Sequence, residues 1–286
     1  MPVKAEAYAK VNLMLRVDTR HAGGLHPVSG LMQSIAWADH LDLEEADEDG
    51  FELDGPGPND ETNLAWQAVE RVRARHGTGP PLRLALRKEI PIAAGLGGGS
   101  ADAAAALVLA VRYLGADEGL PGELAFDLGA DVPFSLEGGL AEVGGYGEEV
   151  TRIGSGGGYA LALVVPPFEL ATAEVYAAWD RLGGPEGPRV EGPAIPPPLR
   201  GVAPLVNDLY PAAVALAPDL ADWRADLERA WGRPASLSGS GPALFSFFVD
   251  EDEARGAAGA VPHPARAARG AATAARGWRI EGGTLR

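Results

Sequence analysis

The stretch 91-PIAAGLGGGSADAAAALVLAVRYLG-115 joins a glycine-rich turn to an alanine-rich helical run. Gly95, Gly97, Gly98 and Gly99 let the backbone approach a ligand closely and adopt positive φ. Ser100 is placed to start the helix, whose first amide hydrogens lack intrahelical partners and whose dipole end is positive. Such an end binds phosphate without side-chain charge. The same residues also suit a tight turn that packs a helix on a sheet, with Ser100 as a plain N-cap. Two common nucleotide loops are disfavoured. A Walker A loop ends in Gly-Lys-Ser/Thr, and no lysine precedes Ser100. A dinucleotide fingerprint needs G-x-G-x-x-G, whereas 95-GLGGGS-100 is spaced differently.

Working outward, two further segments bear on the choice. 236-SLSGSGPALF-245 is a second glycine-serine turn ahead of an apolar strand. 7-AYAKVNLML-15 reads as a strand that puts Lys10 and Asn12 on one face, because side chains repeat every two residues. Strands are also expected over 31–46, 47–60, 82–90, 140–153 and 159–166, and at the end of the chain over 278–286. Helices are expected over 64–77, capped by Thr62 or Asn63 and ended by Gly77, over 172–183, and over 208–232 with a break at Pro218. An Ala/Arg helix is expected over 251–276, interrupted around 262-PHP-264. Strands and helices mixed without strict βαβ alternation indicate an α+β fold. A boundary at 154-GSGGG-158 divides the 286 residues into 1–153 and 154–286.

The net charge of −16 disfavours nucleic acid or an anionic membrane as the main partner. It also makes local positive charge informative, since Lys4, Lys10 and Lys88 are the only lysines. The absence of cysteine excludes disulfides, Cys-ligated zinc and thiol catalysis. With no charged-then-apolar start and no apolar run long enough to span a bilayer, a cytoplasmic setting is expected.

The three segments, in this order, resemble the GHMP kinase superfamily. 88-KEIPIAAGLGGGSADAAA-105 looks like its P-x-x-x-G-L-G-[SG]-S-[SA]-[DN]-A phosphate loop, and 236-SLSGSGPALF-245 like its third motif. Within the superfamily, 8-YAKVNLML-15, the His26 segment, the extra glycine of GLGGGS, 129-GADVPFSLEGG-139 and 206-VNDLYP-211 resemble the branch that acts on 4-diphosphocytidyl-2-C-methyl-D-erythritol. The resemblance implies a ribosomal protein S5 domain 2-like N-terminal domain and a ferredoxin-like C-terminal domain. It implies ATP with Mg²⁺, a small-molecule substrate between the domains, and a monomer or homodimer. Alternatives are another GHMP kinase, of homoserine or mevalonate type, and a non-catalytic nucleotide-binding regulator on the same fold.

The resemblance also implies roles for individual residues. Asp131 is the general base, and Lys10 is the catalytic lysine that keeps it ionised. Pro91, Ile92, Ala93, Ala94, Gly95, Leu96, Gly97, Gly98, Gly99, Ser100 and Ala101 wrap the triphosphate, and Ser100 also meets Mg²⁺. Asn63 and Lys88 contact or flank the nucleotide. Asn12 faces the same region as Lys10, and Gly239, Ser240 and Gly241 close the site near the substrate phosphates. His26 reads the cytosine edge, and Tyr176 stacks on the ring. Leu25 stands where the family usually carries an aromatic.

Overall fold

The computed structural model describes residues 2–21, 24–77 and 79–281. The N-terminal half is built on a sheet whose spine is two long strands, β1 (Val3–Val17) and β2 (Val28–Glu45), paired antiparallel. β3 (Gly50–Asp54) and β4 (Leu82–Arg87) extend it beyond β2, with β3 and β4 parallel. β5 (Leu140–Gly144) and β6 (Glu149–Gly154) continue the other end of β2 as a hairpin. One face of this sheet carries α1 (Leu64–His76), α2 (Gly98–Leu114), α3 (Leu120–Leu128) and the short α4 (Val132–Glu137). The alanine run explains how α2 sits at the centre of that layer. Ala101, Ala103 to Ala106 and Ala110 are fully buried, and their small side chains let the helix lie close to α1 and the sheet.

The C-terminal half holds β7 (Ala160–Val165), α5 (Thr172–Arg181), the short pair β8 (Arg189–Val190) and β9 (Leu205–Val206), and α6 (Tyr210–Leu216). It continues with α7 (Asp219–Trp231), β10 (Ser236–Leu237), β11 (Leu244–Phe248), α8 (Glu251–Gly259) and β12 (Ala267–Ala272). The second sheet runs β10-β11-β7-β12, all antiparallel. This is the strand order of a βαββαβ, ferredoxin-like unit. β13 (Trp278–Ile280) then returns to the first sheet and pairs with β1, so the expected division at 153/154 is crossed by one strand.

One element departs from the sequence reading. The Ala/Arg stretch after Gly259 does not stay helical, because 267-AARGAA-272 forms β12 against β7. Tertiary pairing overrides the helical preference of alanine here. Gly270 marks the contact: a Cβ there would lie 2.2 Å from the Arg255 backbone nitrogen of α8.

The two sheets face each other across a shared apolar layer. Ala9, Val11, Leu13 and Leu31 from the first meet Leu161, Leu163, Phe245 and Phe247 from the second. β1 is therefore buried on both faces in its middle, and this is where Lys10 and Asn12 lie.

Candidate active site

The glycine loop becomes a helix earlier than its serine suggests. Gly97 is the N-cap of α2, with φ of +68°, and the first helical bond is donated by Ala101 N–H to the Gly97 carbonyl at 2.9 Å. Ser100 therefore sits in the first turn rather than at the cap. A left-handed residue fits at Gly97 without a Cβ, so the backbone can turn into the helix there. The amides of Gly98, Gly99 and Ser100 precede the first helical bond and have no partner within α2. They line a cleft of about 1120 Å³ together with Pro91 to Leu96. Unpartnered amides, the positive end of a 17-residue helix and side chains too small to block access make an anion cradle.

Charge reaches that cradle from elsewhere in the chain. The pairing of β1 with β2 shifts register between Tyr8 and Lys10 and again between Asn12 and Met14. These irregularities bracket the site residues, as bulges commonly do. The Lys10 backbone N–H donates to the Leu96 carbonyl at 2.9 Å, tying the strand to the loop. Its side chain lies against Gly97, where a Cβ would be 2.8 Å from Lys10 Cγ, and ends beside Gly239, where a Cβ would be 3.5 Å from Nζ. Both glycines leave the space that the lysine occupies. Nζ donates to Asn12 Oδ1 at 2.5 Å and pairs with Asp131 Oδ2 at 3.2 Å. Lys10 is only 5% exposed, so its charge acts in a poorly hydrated place.

Asp131 stands at the start of α4 but does not cap it with its side chain. The carboxylate is left free to face the cleft, with 31% of the side chain exposed. The Lys10 ammonium, 3.2 Å away, sets a positive charge directly against it.

The third-motif turn closes over the loop. Ser238 Oγ donates to the Gly95 carbonyl at 2.8 Å and accepts from the Asn12 N–H at 3.2 Å. Asn207 holds the turn from behind, donating from Nδ2 to the Leu237 and Gly239 carbonyls, both at 2.8 Å. Gly239 and Ser240 line the cleft, and Ser240 Oγ lies 2.9 Å from Thr172 Oγ1.

Also lining the cleft, the His26 and Tyr176 rings stack on each other, with centroids 5.3 Å apart and planes 29° apart. His26 Nδ1 donates to the Asp18 carbonyl at 3.0 Å, because a carbonyl can only accept. That fixes the ring and leaves Nε2 toward Asp180 Oδ2, 3.3 Å away. Burial pushes the Tyr176 hydroxyl up to about 12, and the negative charge of Asp131 adds to the shift. Leu25 is exposed at the rim. Tyr146, from the turn between β5 and β6, lines the cleft near it and places its hydroxyl 3.0 Å from His21 Nδ1.

Not every expected residue joins the site. Asn63 caps α1, its Oδ1 accepting from the Ala65 N–H at 2.9 Å while its Nδ2 donates to the Pro58 carbonyl. Both polar atoms are thus occupied by the backbone. Ala101 is buried in α2, and Gly241, at φ of +85°, shapes the turn by donating its N–H to the Ser238 carbonyl. Lys88 reaches the cleft wall, but its ammonium is held by Asp39 and Asp102. Sequence reasoning missed Thr172, Ala173, Ala177 and Asp180, which line the cleft beside Tyr176. Their spacing of three and four residues along α5 is the signal that could have found them. Ser238 gave no signal, because its role depends on a contact with Gly95, far away in the chain.

This geometry has counterparts in known proteins. Residues 63–139 match the family described as GHMP kinases N terminal domain. A relative from Moorella thermoacetica, named 4-diphosphocytidyl-2-C-methyl-D-erythritol kinase, is 40% identical over 265 residues, which cover 87% of this chain and 91% of that protein. A solved 4-(cytidine 5'-diphospho)-2C-methyl-D-erythritol kinase superposes with a TM-score of 0.78 at 34% identity, covering 94% of this chain and 98% of the other. A homoserine kinase from Cytophaga hutchinsonii shares the fold, with a TM-score of 0.71 at 18% identity, covering 98% of this chain and 97% of the other. The phosphate-loop helix, the Lys10–Asp131 pair facing it and this level of identity across nearly the whole chain lead to one conclusion: the chain belongs to the 4-diphosphocytidyl-2-C-methyl-D-erythritol kinase family of the GHMP kinases.

Proposed function

We propose that this protein transfers the γ-phosphoryl group of ATP to the 2-hydroxyl of 4-diphosphocytidyl-2-C-methyl-D-erythritol, a step in isoprenoid precursor synthesis. The observation that carries the reading is the Lys10–Asp131 pair set against the start of α2. Phosphoryl transfer needs little covalent help from protein; it needs positioning and stabilisation of charge. The loop from Pro91 to Ser100 cradles the phosphates with backbone amides. Asp131 orients the acceptor hydroxyl and takes its proton, and Lys10 steadies both the carboxylate and the phosphoryl oxygens. Stacking around Tyr176 and hydrogen bonding at His26 hold the pyrimidine end, while Asn12, Gly239 and Ser240 border the substrate phosphates. Residues 1–153 supply the loop and the base, and residues 154–286 supply Tyr176 and the closing turn.

A divalent ion fits this site as a passenger on the triphosphate. Ser100 lines the cleft with a hydroxyl to offer. The one cluster of three possible ligands among the described residues, Glu6, His40 and Glu281, does not line it. Mg²⁺ keeps most of its waters and takes few protein ligands in such settings. Ser100 would be the residue to meet such an ion, which would supply positive charge against the charge developing on the transferred group.

Turnover of ATP by the purified protein against 4-diphosphocytidyl-2-C-methyl-D-erythritol, homoserine and mevalonate tests the reading. The cytidyl compound is expected to be the preferred acceptor. No turnover with it, or faster turnover with either of the others, would sink the proposal.

A further inference from the structure

Lys88, Asp39 and Asp102 form a buried charge cluster next to the cleft that the mechanism does not use. Asp39 comes from β2, Lys88 directly follows β4, and Asp102 lies in the second turn of α2. Lys88 Nζ contacts Asp39 Oδ2 at 2.5 Å and also pairs with Asp102. The three side chains are 5%, 0% and 4% exposed. The other oxygen of Asp39 accepts the N–H groups of Glu89 at 2.5 Å and Ile90 at 2.8 Å. These residues immediately precede Pro91, where the phosphate loop begins. Lys88 also crowds the helix start, since a Cβ on Gly98 would lie 3.2 Å from its Nζ.

The cluster therefore grips both stems of the loop at once. Asp39 fixes the incoming strand through two backbone amides and a cation. The same cation fixes the outgoing helix through Asp102. Between the two grips lie the residues whose amides face the cleft. Buried charges persist only when paired, so the contacts of Lys88 with Asp39 Oδ2 and Asp102 Oδ2 tie the three side chains to one arrangement, while Asp102 Oδ1 is buried without a hydrogen-bond partner. Burial alone would lower the Lys88 ammonium, but the two carboxyl groups outweigh it and hold it above its ordinary value. Burial lifts the Asp102 carboxyl well above the usual carboxylate range, and repulsion from Asp39 adds to this against the attraction of Lys88.

We propose that Asp39, Lys88 and Asp102 are positioning residues that clamp the phosphate loop, with Lys88 acting on ATP through the loop rather than by touching the nucleotide. This rests on the reading of 91–100 as the nucleotide loop. A direct contact would make the Lys88 charge matter by itself. A clamp makes Lys88 and Asp39 matter as a unit, although Asp39 is wholly buried.

The test is a double-mutant cycle of Lys88→Met and Asp39→Asn, read as KM for ATP, KM for the cytidyl substrate, kcat and thermal midpoint. Each single variant is expected to raise KM for ATP by about tenfold with KM for the cytidyl substrate little changed, and the double variant to be no worse than the singles. An effect of Lys88→Met on KM for ATP that Asp39→Asn does not share would overturn the clamp in favour of direct contact. Lowered thermal midpoints with unchanged KM for ATP would overturn it in favour of a purely structural cluster. If Lys88→Met does not fold, Lys88→Gln, which keeps a donor in place, carries the same comparison. Wild-type turnover in the same assay separates the two readings. No turnover with the cytidyl substrate ends the functional proposal, whereas turnover indifferent to both substitutions ends the clamp alone.

Discussion

At the scale of single residues, the proposed chemistry rests on groups that are distant in the chain and adjacent in space. Lys10 and Asp131 meet at 3.2 Å although 120 residues separate them. Asp131→Asn keeps the shape of the side chain and removes its basicity. We expect kcat to fall by about 10²–10⁴-fold, with binding of ATP and of the cytidyl substrate retained. Near wild-type kcat in that variant would show that another group takes the proton. Tyr176 makes a different kind of contribution, since its ring stacks on His26 in the cleft wall. Tyr176→Ala is expected to raise KM for the cytidyl substrate by about 5–150-fold, the worth of about 1–3 kcal/mol of base stacking, while KM for ATP stays near its wild-type value. Equal loss of both affinities in a calorimetric titration would instead mark Tyr176 as packing for the whole cleft. At this scale the sequence was most legible where the two-residue repeat of a strand sets side chains on one face, as for Lys10 and Asn12. It was least legible for Lys88. A lysine beside a glycine loop looks like a phosphate ligand until the two carboxyl groups that hold it come into view.

At the scale of elements, the glycines show how local conformation and long-range contact differ. Gly77 and Gly95 both have positive φ, +84° and +78°. Nothing lies within 4 Å of a Cβ added at Gly77, whereas one added at Gly95 would be 2.2 Å from the Ser238 carbonyl oxygen. Gly77→Ala is therefore expected to cost only the left-handed strain, about 1–2 kcal/mol. Gly95→Ala adds a backbone collision and is expected to cost about 2–5 kcal/mol and to raise KM for ATP. Chemical denaturation of the two variants side by side checks this, and equal destabilisation would refute the contact. The end of α1 at Gly77 was readable because its cause is local. The start of α2 came two residues earlier than Ser100 suggested, because the turn there is set by Gly97 making room for Lys10. β12 was misread for a related reason, since its alanines favour a helix and only the free edge of β7 makes them a strand.

At the scale of the whole molecule, the two sheets share one apolar layer and β13 ties the end of the chain to its beginning. Phe245, 1% exposed, packs edge-to-face on Phe247 in that layer, with centroids 5.7 Å apart. Phe245→Ala is expected to cost about 3–5 kcal/mol and to lower the midpoint of a single thermal transition. Two resolved calorimetric transitions would show instead that the halves unfold separately. The sequence by itself determined the α+β class, the glycine turn that opens into α2 and the set of motifs that mark the kinase family. Those features lie in short segments whose residue types act through local geometry: glycine through φ, alternation through the pleat, a helix start through its unpaired amides. Only the tertiary structure decided that Ser238 latches onto Gly95 and that Asn63 and Lys88 are occupied by other protein groups. Each of these depends on which distant groups come within a few ångströms once two sheets close on a common core, and residue spacing along the chain carries no record of that approach.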